Sequence, residues 1–230
     1  MTNNHKVIAF DADDTLWVNE NYFREAEEQF VLLLNDYGNE DQIMKELYDV
    51  EMKNLDIYGF GIKGFMLAMV EAAHRITNGK ASSEQIYKII ELGKQMLSKP
   101  VELLADVETI LKKVQEKYKV ILATKGDLLD QHRKLSKSGL ERYFHHIEVM
   151  NNKKERDYKR LLNHLDIQPH EFLMIGNSLK SDILPVVNIG GSAIYVPYEI
   201  TWMHEEVTEK EKAMATYHEV EKLSEILQLL

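Results

Sequence analysis

The apolar run Val7–Phe10 is the feature that most limits what this chain can fold into. Four consecutive apolar residues indicate a β-strand buried on both faces, and such strands belong to parallel sheets covered by helices on each side. The run stops abruptly at the acidic segment 11–15, Asp-Ala-Asp-Asp-Thr. In sheets of this kind ligands bind beyond the carboxyl ends of the strands, so this segment is the first candidate for a functional site.

The C-terminal part of the chain repeats this type of pattern. Apolar runs predict four further strands, separated by segments whose apolar residues recur at helical spacing. The predicted strands are 119–123, 146–150, 172–175 and 193–196. Strands that alternate with helices predict an α/β fold, with a Rossmann-like parallel sheet core and helices on both faces.

A long segment between these parts has a different character. Its apolar residues recur at helical spacing, and Ser82 with Gln85 three positions later forms a capping-box pattern. No convincing strand pattern occurs in it. The sequence therefore predicts an all-helical domain, residues 18–98, inserted into an α/β core made of residues 1–17 and 99–230.

Composition excludes several classes of protein. The chain has no cysteine, which rules out disulfides, thiolate zinc sites and thiol catalysis and predicts a cytoplasmic location. The net charge of -10 argues against nucleic-acid binding. No apolar run approaches the roughly 20 residues of a membrane span, and the first run is too short for a signal peptide. The Glu- and Lys-rich stretch 205–212 is interpreted as a solvated helix face or a loose connection.

Polar and charged residues follow the predicted ends of four strands. They are Asp11 and Asp13 after the first, Thr124, Lys125 and Gly126 at the second, Lys153 and Lys154 after the third, and Asn177 and Asp182 after the fourth. Carboxylates that lie together repel one another, and a divalent cation removes this repulsion. Because oxygen ligands suit Mg²⁺, the sequence predicts a magnesium site at this edge of the sheet.

These groups are suited to phosphoryl transfer. Asp11 is the candidate nucleophile that attacks phosphorus to give an aspartyl phosphate. Asp13 is the candidate acid that protonates the leaving alcohol and the base that then activates water. Thr124 and the two backbone N–H groups after it are predicted to hold the phosphoryl oxygens, while Lys153 neutralises negative charge.

These motifs, in this order, resemble those of the haloacid dehalogenase superfamily of phosphatases. The resemblance rests on 10–16, Phe-Asp-Ala-Asp-Asp-Thr-Leu, on Thr124, on a lysine after the third strand, and on 176–182. It implies that the helical insert 18–98 is a mobile cap that closes over the active site.

One position departs from the pattern of that family. Asn177 stands where the resemblance implies an aspartate that ligates Mg²⁺, and a carboxamide oxygen brings no charge. The predicted metal ligands are therefore Asp11, Asp13, Asn177 and Asp182, with Asp182 as the residue that compensates for Asn177.

Four charged residues near the predicted site are interpreted separately. Lys153 and Lys154 are alternatives for the catalytic lysine, and the spacing to the next helix favours Lys153. Asp14 is predicted to be a hydrogen-bonding partner within its own loop, and Asp127 to cap the following helix.

The predicted contacts to the substrate are less specific. They are Thr124, Lys125, Gly126 and Trp17, with the glycine- and aromatic-rich segment 58–64, Trp202 and His204 as further candidates. The segment 58–64 is explained equally well as an ordinary connection between helices.

The function that best fits these residues is a Mg²⁺-dependent phosphatase of a small soluble phosphomonoester, either a nucleotide or a sugar phosphate. A phosphomutase remains an alternative. A hydrolytic dehalogenase needs no second acid, so Asp13 argues against it. A receiver-like phosphoacceptor carries its phosphorylated aspartate on a middle strand of the chain, which does not match the order found here.

Overall fold

The computed structural model of the protein describes residues 4–205 and 207–230, which form a parallel sheet and a set of helices. The strands are β1 (Val7–Phe10), β2 (Lys119–Lys125), β3 (His146–Met150), β4 (Phe172–Gly176), β5 (Ser192–Tyr195) and β6 (His218–Glu219). The α-helices are α1 (Glu20–Leu34), α2 (Glu40–Tyr58), α3 (Ile62–Ile76), α4 (Ser83–Ser98), α5 (Val107–Gln115), α6 (Leu128–Ser138), α7 (Glu155–Leu165), α8 (Leu184–Asn188) and α9 (Glu209–Met214). A π-helical turn, Leu179–Ile183, directly precedes α8.

The sheet has six strands within the described ranges, in the order β3-β2-β1-β4-β5-β6, and all of its pairs are parallel. β1 lies between β2 and β4, with Ile8 beside Val120 on one side and Leu173 on the other. This confirms the predicted α/β fold with a parallel, Rossmann-like sheet. The sequence did not predict β6, because a strand of two residues is too short to produce a recognisable pattern.

Both faces of the sheet are covered by apolar helix faces. Ile8 and Phe10 pack on one face, in a cluster that includes Leu111 of α5. Val7 and Ala9 point the opposite way and pack with Tyr158 of α7 and its neighbours. Side chains that alternate along a strand point to opposite faces, which explains why β1 needs apolar residues at all four positions.

The chain separates into two compact units. The α/β unit contains the N-terminal segment through Glu20, Val101–Lys125 and Gln131–Leu230, and the helical unit contains Asn21–Pro100 and Gly126–Asp130. The helical unit has its own apolar core, which includes Phe30 of α1 and Met69 of α3.

The predicted capping box of Ser82 and Gln85 is present at the start of α4. A second capping box, formed by Asn39 and Gln42, begins α2. Within the described part of the chain, no helix combines the length and the apolar character that crossing a membrane requires.

The helical unit also contains a carboxylate whose surroundings disfavour its charged form. Glu51 of α2 lies largely buried near Glu27 of α1, and burial together with the charge of Glu27 raises the pKa of Glu51 to about 7. Ionised Glu51 is therefore disfavoured in the folded protein relative to the unfolded chain.

We expect Glu51→Gln to stabilise the protein at pH 8, where the wild-type side chain must ionise against its surroundings. Because the folded-state pKa lies above the ordinary value of 4.5, the penalty grows as the pH rises from 4.5 through 7 and is absent below that window. The expected gain at pH 8 is on the order of 1–3 kcal/mol, or several degrees in Tm. Thermal unfolding at pH 8 and pH 4.5 tests this, with the exposed Glu28→Gln as the matched control. An equal gain at both pH values would contradict the explanation.

Candidate active site

The ends of three neighbouring strands bring the predicted catalytic residues together. Phe10 at the end of β1 pairs with Leu122 of β2 and with Ile175 of β4. Asp11 therefore emerges between the last residues of β2 and the end of β4. Thr124 and Lys125 belong to β2 itself, which extends two residues beyond the predicted strand.

A tight loop follows β1, and the aspartate side chains in it have different hydrogen-bond partners. Asp14 adopts a left-handed conformation with φ of 60°, and its carboxylate accepts the backbone N–H groups of Asn19 at 2.8 Å and Glu20 at 3.0 Å. This confirms its predicted role as a hydrogen-bonding partner within the loop. Burial, assisted by the charge of Asp13, raises the pKa of Asp14 to about 7.

A buried ammonium group lies between two carboxylates at the centre of the site. Lys153 Nζ donates to Asp11 Oδ1 and, at 2.6 Å, to Asp182 Oδ1. All three side chains are nearly inaccessible to solvent. Burial opposes the charged form of Lys153, but Asp11 and Asp182 outweigh it and raise the pKa of this lysine. Burial likewise raises the pKa of Asp11, while Lys153 opposes this shift.

Of the two predicted alternatives, it is Lys153 whose side chain lies beside Asp11. Lys154 is exposed, and its backbone N–H donates to Asp157 Oδ2 at 3.2 Å, at the start of α7. The spacing argument from the sequence therefore agrees with the position of Lys153.

The π-helical turn after β4 places Asp182. Its Oδ2 accepts the N–H of Ser178 at 3.0 Å, and the Ser178 hydroxyl accepts the N–H of Ser181 at 3.0 Å. The turn is further held by Tyr158, whose hydroxyl donates to Ser181 O at 3.0 Å. Isolated π turns of this kind occur frequently at functional sites, because they direct one side chain out of the regular helical path.

Thr124 contributes a buried hydroxyl group to this site. Its side chain is buried, with a relative exposure of 1%. Its hydroxyl has no hydrogen-bond partner among the residues that the structure describes. A buried hydroxyl without a partner is costly, so it is well explained by a ligand that supplies the missing contact.

Asn177 brings a third oxygen toward Asp11 and the backbone of Asp13. In one orientation of the carboxamide, Oδ1 faces Asp11 Oδ2, Asp13 O and the hydroxyl of Thr15, and in the other the amide nitrogen donates to the same atoms at 3.2 Å each. In the second orientation the amide satisfies these acceptors directly, whereas in the first three acceptor oxygens face one another and fit a hard cation such as Mg²⁺. Within the described ranges, no three His, Cys, Asp or Glu side chains converge on a point, so amide and backbone oxygens are needed for such a site.

Two of the predicted metal ligands have other partners. The Asp13 carboxylate accepts from Trp17 Nε1 at 2.6 Å and from Gln131 Nε2 at 2.8 Å, and its backbone oxygen is the atom that faces Asn177. Asp182 binds Lys153. The carboxylates of Asp13 and Asp182 are therefore held by tryptophan, amide and lysine donors.

Glu205 is a residue of this region that the sequence did not single out. Its carboxylate accepts from Lys125 Nζ and from the hydroxyls of Ser178 and, at 2.6 Å, Ser181. Although burial opposes ionisation, these donors hold the pKa of Glu205 at about 2. The interpretation of 205–212 as solvated or loose is therefore wrong for Glu205. Its local sequence resembles that of an exposed helix, so only the distant serines and Lys125 identify it.

The remaining candidates for substrate contact are dispersed. Trp17 is fully buried, and its indole N–H is used by Asp13. Trp202 and His204 lie beside each other, with ring centroids 4.8 Å apart. The segment 58–64 belongs to the helical unit, where Lys63 pairs with Asp127 at 2.8 Å. Asp127 also accepts the N–H of Asp130 at 3.0 Å, which confirms it as the cap of α6.

Comparison with known proteins identifies relatives across most of the chain. A family model described as haloacid dehalogenase-like hydrolase matches residues 5–190. A crystal structure of a haloacid dehalogenase-like family hydrolase from Xanthomonas campestris superposes with a TM-score of 0.85 at 38% sequence identity, covering 96% of this chain and 88% of that one.

Two curated relatives are phosphatases. Human N-acylneuraminate-9-phosphatase is 24% identical over 196 residues, which cover 80% of this chain and 79% of the relative. Glyceraldehyde 3-phosphate phosphatase of Pyrococcus furiosus is 25% identical over 126 residues, or 53% of this chain and 52% of the relative.

We expect Gly176→Ala to damage the site through Asp182. A Cβ at Gly176 would lie 2.3 Å from Asp182 Oδ2 and 2.5 Å from its Cγ, so the carboxylate must leave its position beside Lys153. Overpacking of this kind costs about 1–3 kcal/mol of stability, which unfolding by urea would detect. The displaced carboxylate should also lower the activity, which assays of the same variant would detect. Gly38→Ala is the control, because its Cβ would approach no atom more closely than Gln42 Oε1 at 3.3 Å, with Ile43 Cγ1 at an ordinary 3.7 Å. Equal behaviour of the two variants would contradict the packing argument.

Proposed function

The chain belongs to the haloacid dehalogenase-like hydrolases, and on that premise we propose that it is a Mg²⁺-dependent phosphatase of small phosphomonoesters. One observation supports this most directly. The Asp11 carboxylate lies at the carboxyl end of the central strand, bound by the buried Lys153, while the Thr124 hydroxyl on the neighbouring strand lacks a partner within the part of the chain that the structure describes. A nucleophile, a fixed cation and a free donor are what a phosphoryl group requires.

In the first proposed step, Asp11 Oδ2 attacks phosphorus. The new bond gives an aspartyl phosphate, while the bond between phosphorus and the oxygen of the leaving alcohol breaks. The leaving oxygen takes a proton from the Asp13 carboxyl group. In the second step, the Asp13 carboxylate takes a proton from water, which attacks phosphorus and releases inorganic phosphate and Asp11.

Charge and hydrogen bonding support these steps. Lys153 neutralises part of the negative charge that Asp11 and the phosphoryl group share, and its buried position strengthens that interaction. The Thr124 hydroxyl and the backbone N–H groups of Lys125 and Gly126 would hold the phosphoryl oxygens. The side chain of Lys125 is directed toward Glu205 and Ser181.

The residues that would hold the cation are Asp11, the backbone oxygen of Asp13 and Asn177 in the orientation that turns its carboxamide oxygen toward them. When bound, Mg²⁺ would supply positive charge to the phosphoryl oxygens and reduce the repulsion between substrate and nucleophile. We further propose that the helical unit is the cap that selects the substrate. The two curated relatives are named for the phosphates of an N-acylneuraminate and of glyceraldehyde, which supports a small sugar-like phosphate as the substrate class.

We expect Asp11→Asn to abolish turnover, because an amide is a poor nucleophile toward phosphorus. The loss in kcat should exceed about 10³-fold. Steady-state hydrolysis of 4-nitrophenyl phosphate with Mg²⁺ measures it, and acid quenching with labelled substrate should trap an aspartyl phosphate in the wild type only. The exposed Asp166→Asn is the matched control. Activity above a few per cent in the pure variant would contradict the assignment of the nucleophile.

We expect Asn177→Asp to lower the Mg²⁺ concentration that gives half-maximal activity by several-fold, because a carboxylate adds negative charge where the carboxamide has none. Turnover itself need not rise, since the added charge also repels the phosphate. Asp182→Asn should raise that concentration if Asp182 also reaches the cation, although its carboxylate binds Lys153 and the Ser178 N–H. An unchanged midpoint in Asn177→Asp would place the cation elsewhere.

A further inference from the structure

The Asp13 carboxylate is held by three donors of the α/β unit. Trp17 Nε1 donates to Oδ1 at 2.6 Å, Lys134 Nζ donates to the same oxygen at 2.5 Å, and Gln131 Nε2 donates to Oδ2 at 2.8 Å. Both carboxylate oxygens are therefore occupied. Trp17 lies four residues away in the chain, whereas Gln131 and Lys134 reach Asp13 from α6, more than a hundred residues later.

Gln131 and Lys134 are placed on one face of α6. Residues three apart in a helix are neighbours on its surface, so the two side chains extend side by side toward Asp13. Gln131 is buried at 3% exposure, and the Lys134 side chain is only 13% exposed. A lysine loses much of its favourable hydration in such a position, so the carboxylate must provide a strong compensating contact.

Each of these two residues also contacts a second part of the site. Gln131 Nε2 donates to the backbone oxygen of Lys125 at 3.2 Å, directly after Thr124. Lys134 Nζ donates to Asn19 Oδ1 at 3.1 Å, just before α1. The α6 pair therefore connects Asp13 both to the end of β2, where the phosphoryl group is expected, and to the segment of the α/β unit just before α1.

We propose that Gln131 and Lys134 are positioning residues for the acid–base group Asp13. They fix its carboxylate relative to the end of β2, so the group that transfers the proton and the donors that hold the phosphoryl group keep a constant separation. This proposal rests on the proposed function, in which Asp13 protonates the leaving group. A loss of position should affect proton transfer more than binding, because a misplacement of about 1 Å reduces such steps strongly.

The test is Lys134→Met, which keeps the length and apolar stem of the side chain and removes its donors. Turnover is measured with aryl phosphates whose leaving groups range from 4-nitrophenol to phenol. The expected loss in kcat/KM, which reports formation of the aspartyl phosphate and not its later hydrolysis, is about 10-fold or more with phenyl phosphate and no more than about 2-fold with 4-nitrophenyl phosphate, which needs little protonation. Lys134→Arg should restore most of the activity.

Two controls separate positioning from a general effect on the fold. Lys137→Met makes the same substitution on an exposed residue of α6 and should leave every substrate unaffected. Gln131→Leu removes the second donor and should give the same dependence on the leaving group as Lys134→Met. Gln131→Leu therefore tests the positioning role even if Lys134→Met does not fold.

A double-mutant cycle with Asp13→Asn decides the proposal. If Lys134 acts through Asp13, Lys134→Met should cause little further loss once Asp13 has been replaced. Additive losses, or a loss in kcat/KM that is equal for all leaving groups, would overturn the positioning role while leaving the proposed function intact. If Asp13→Asn alone loses the same factor in kcat/KM with every leaving group, the acid role in the proposed function fails, and the positioning role fails with it.

Discussion

The contact of Lys153 with Asp11 and Asp182 is the interaction on which the rest of the site depends. All three groups are buried, so removing any one of them leaves an uncompensated charge in a poorly solvated place. The contact also ties together three segments that are far apart in the chain. It forms only when three segments are correctly placed: the end of β1, the segment before α7 and the π-helical turn after β4.

A second charge contact separates the tasks of two aspartates that lie only two residues apart. Asp11 binds Lys153, whereas the carboxylate of Asp13 binds Lys134 and only its backbone oxygen faces Asn177. The left-handed conformation at Asp14 turns the chain between the two groups and α1. Each of these two carboxylates therefore pairs with a different lysine, so the two lie in different environments.

Several features of this arrangement could be predicted because they depend on neighbours in the sequence. The capping roles of Ser82 and Asp127 and the loop contacts of Asp14 follow from side chains that bind backbone groups a few residues away. Other features were missed because their cause is distant. The burial of Glu205 requires Ser178 and Lys125, and β6 exists only because β5 offers its edge.

The sequence by itself determined the alternation of strands and helices, the apolar faces of β1 and the acidic loop that follows it, because hydrophobic periodicity and helix capping are local properties. The tertiary structure decided which partner each polar group has. In the folded chain Asp11 binds Lys153, Asp13 binds Gln131 and Lys134, and Glu205 binds Lys125. These contacts are set by the order of the strands and the paths of the loops. A pattern of residue types shows which groups are polar, but only the folded chain brings a particular donor within hydrogen-bonding distance of a particular carboxylate.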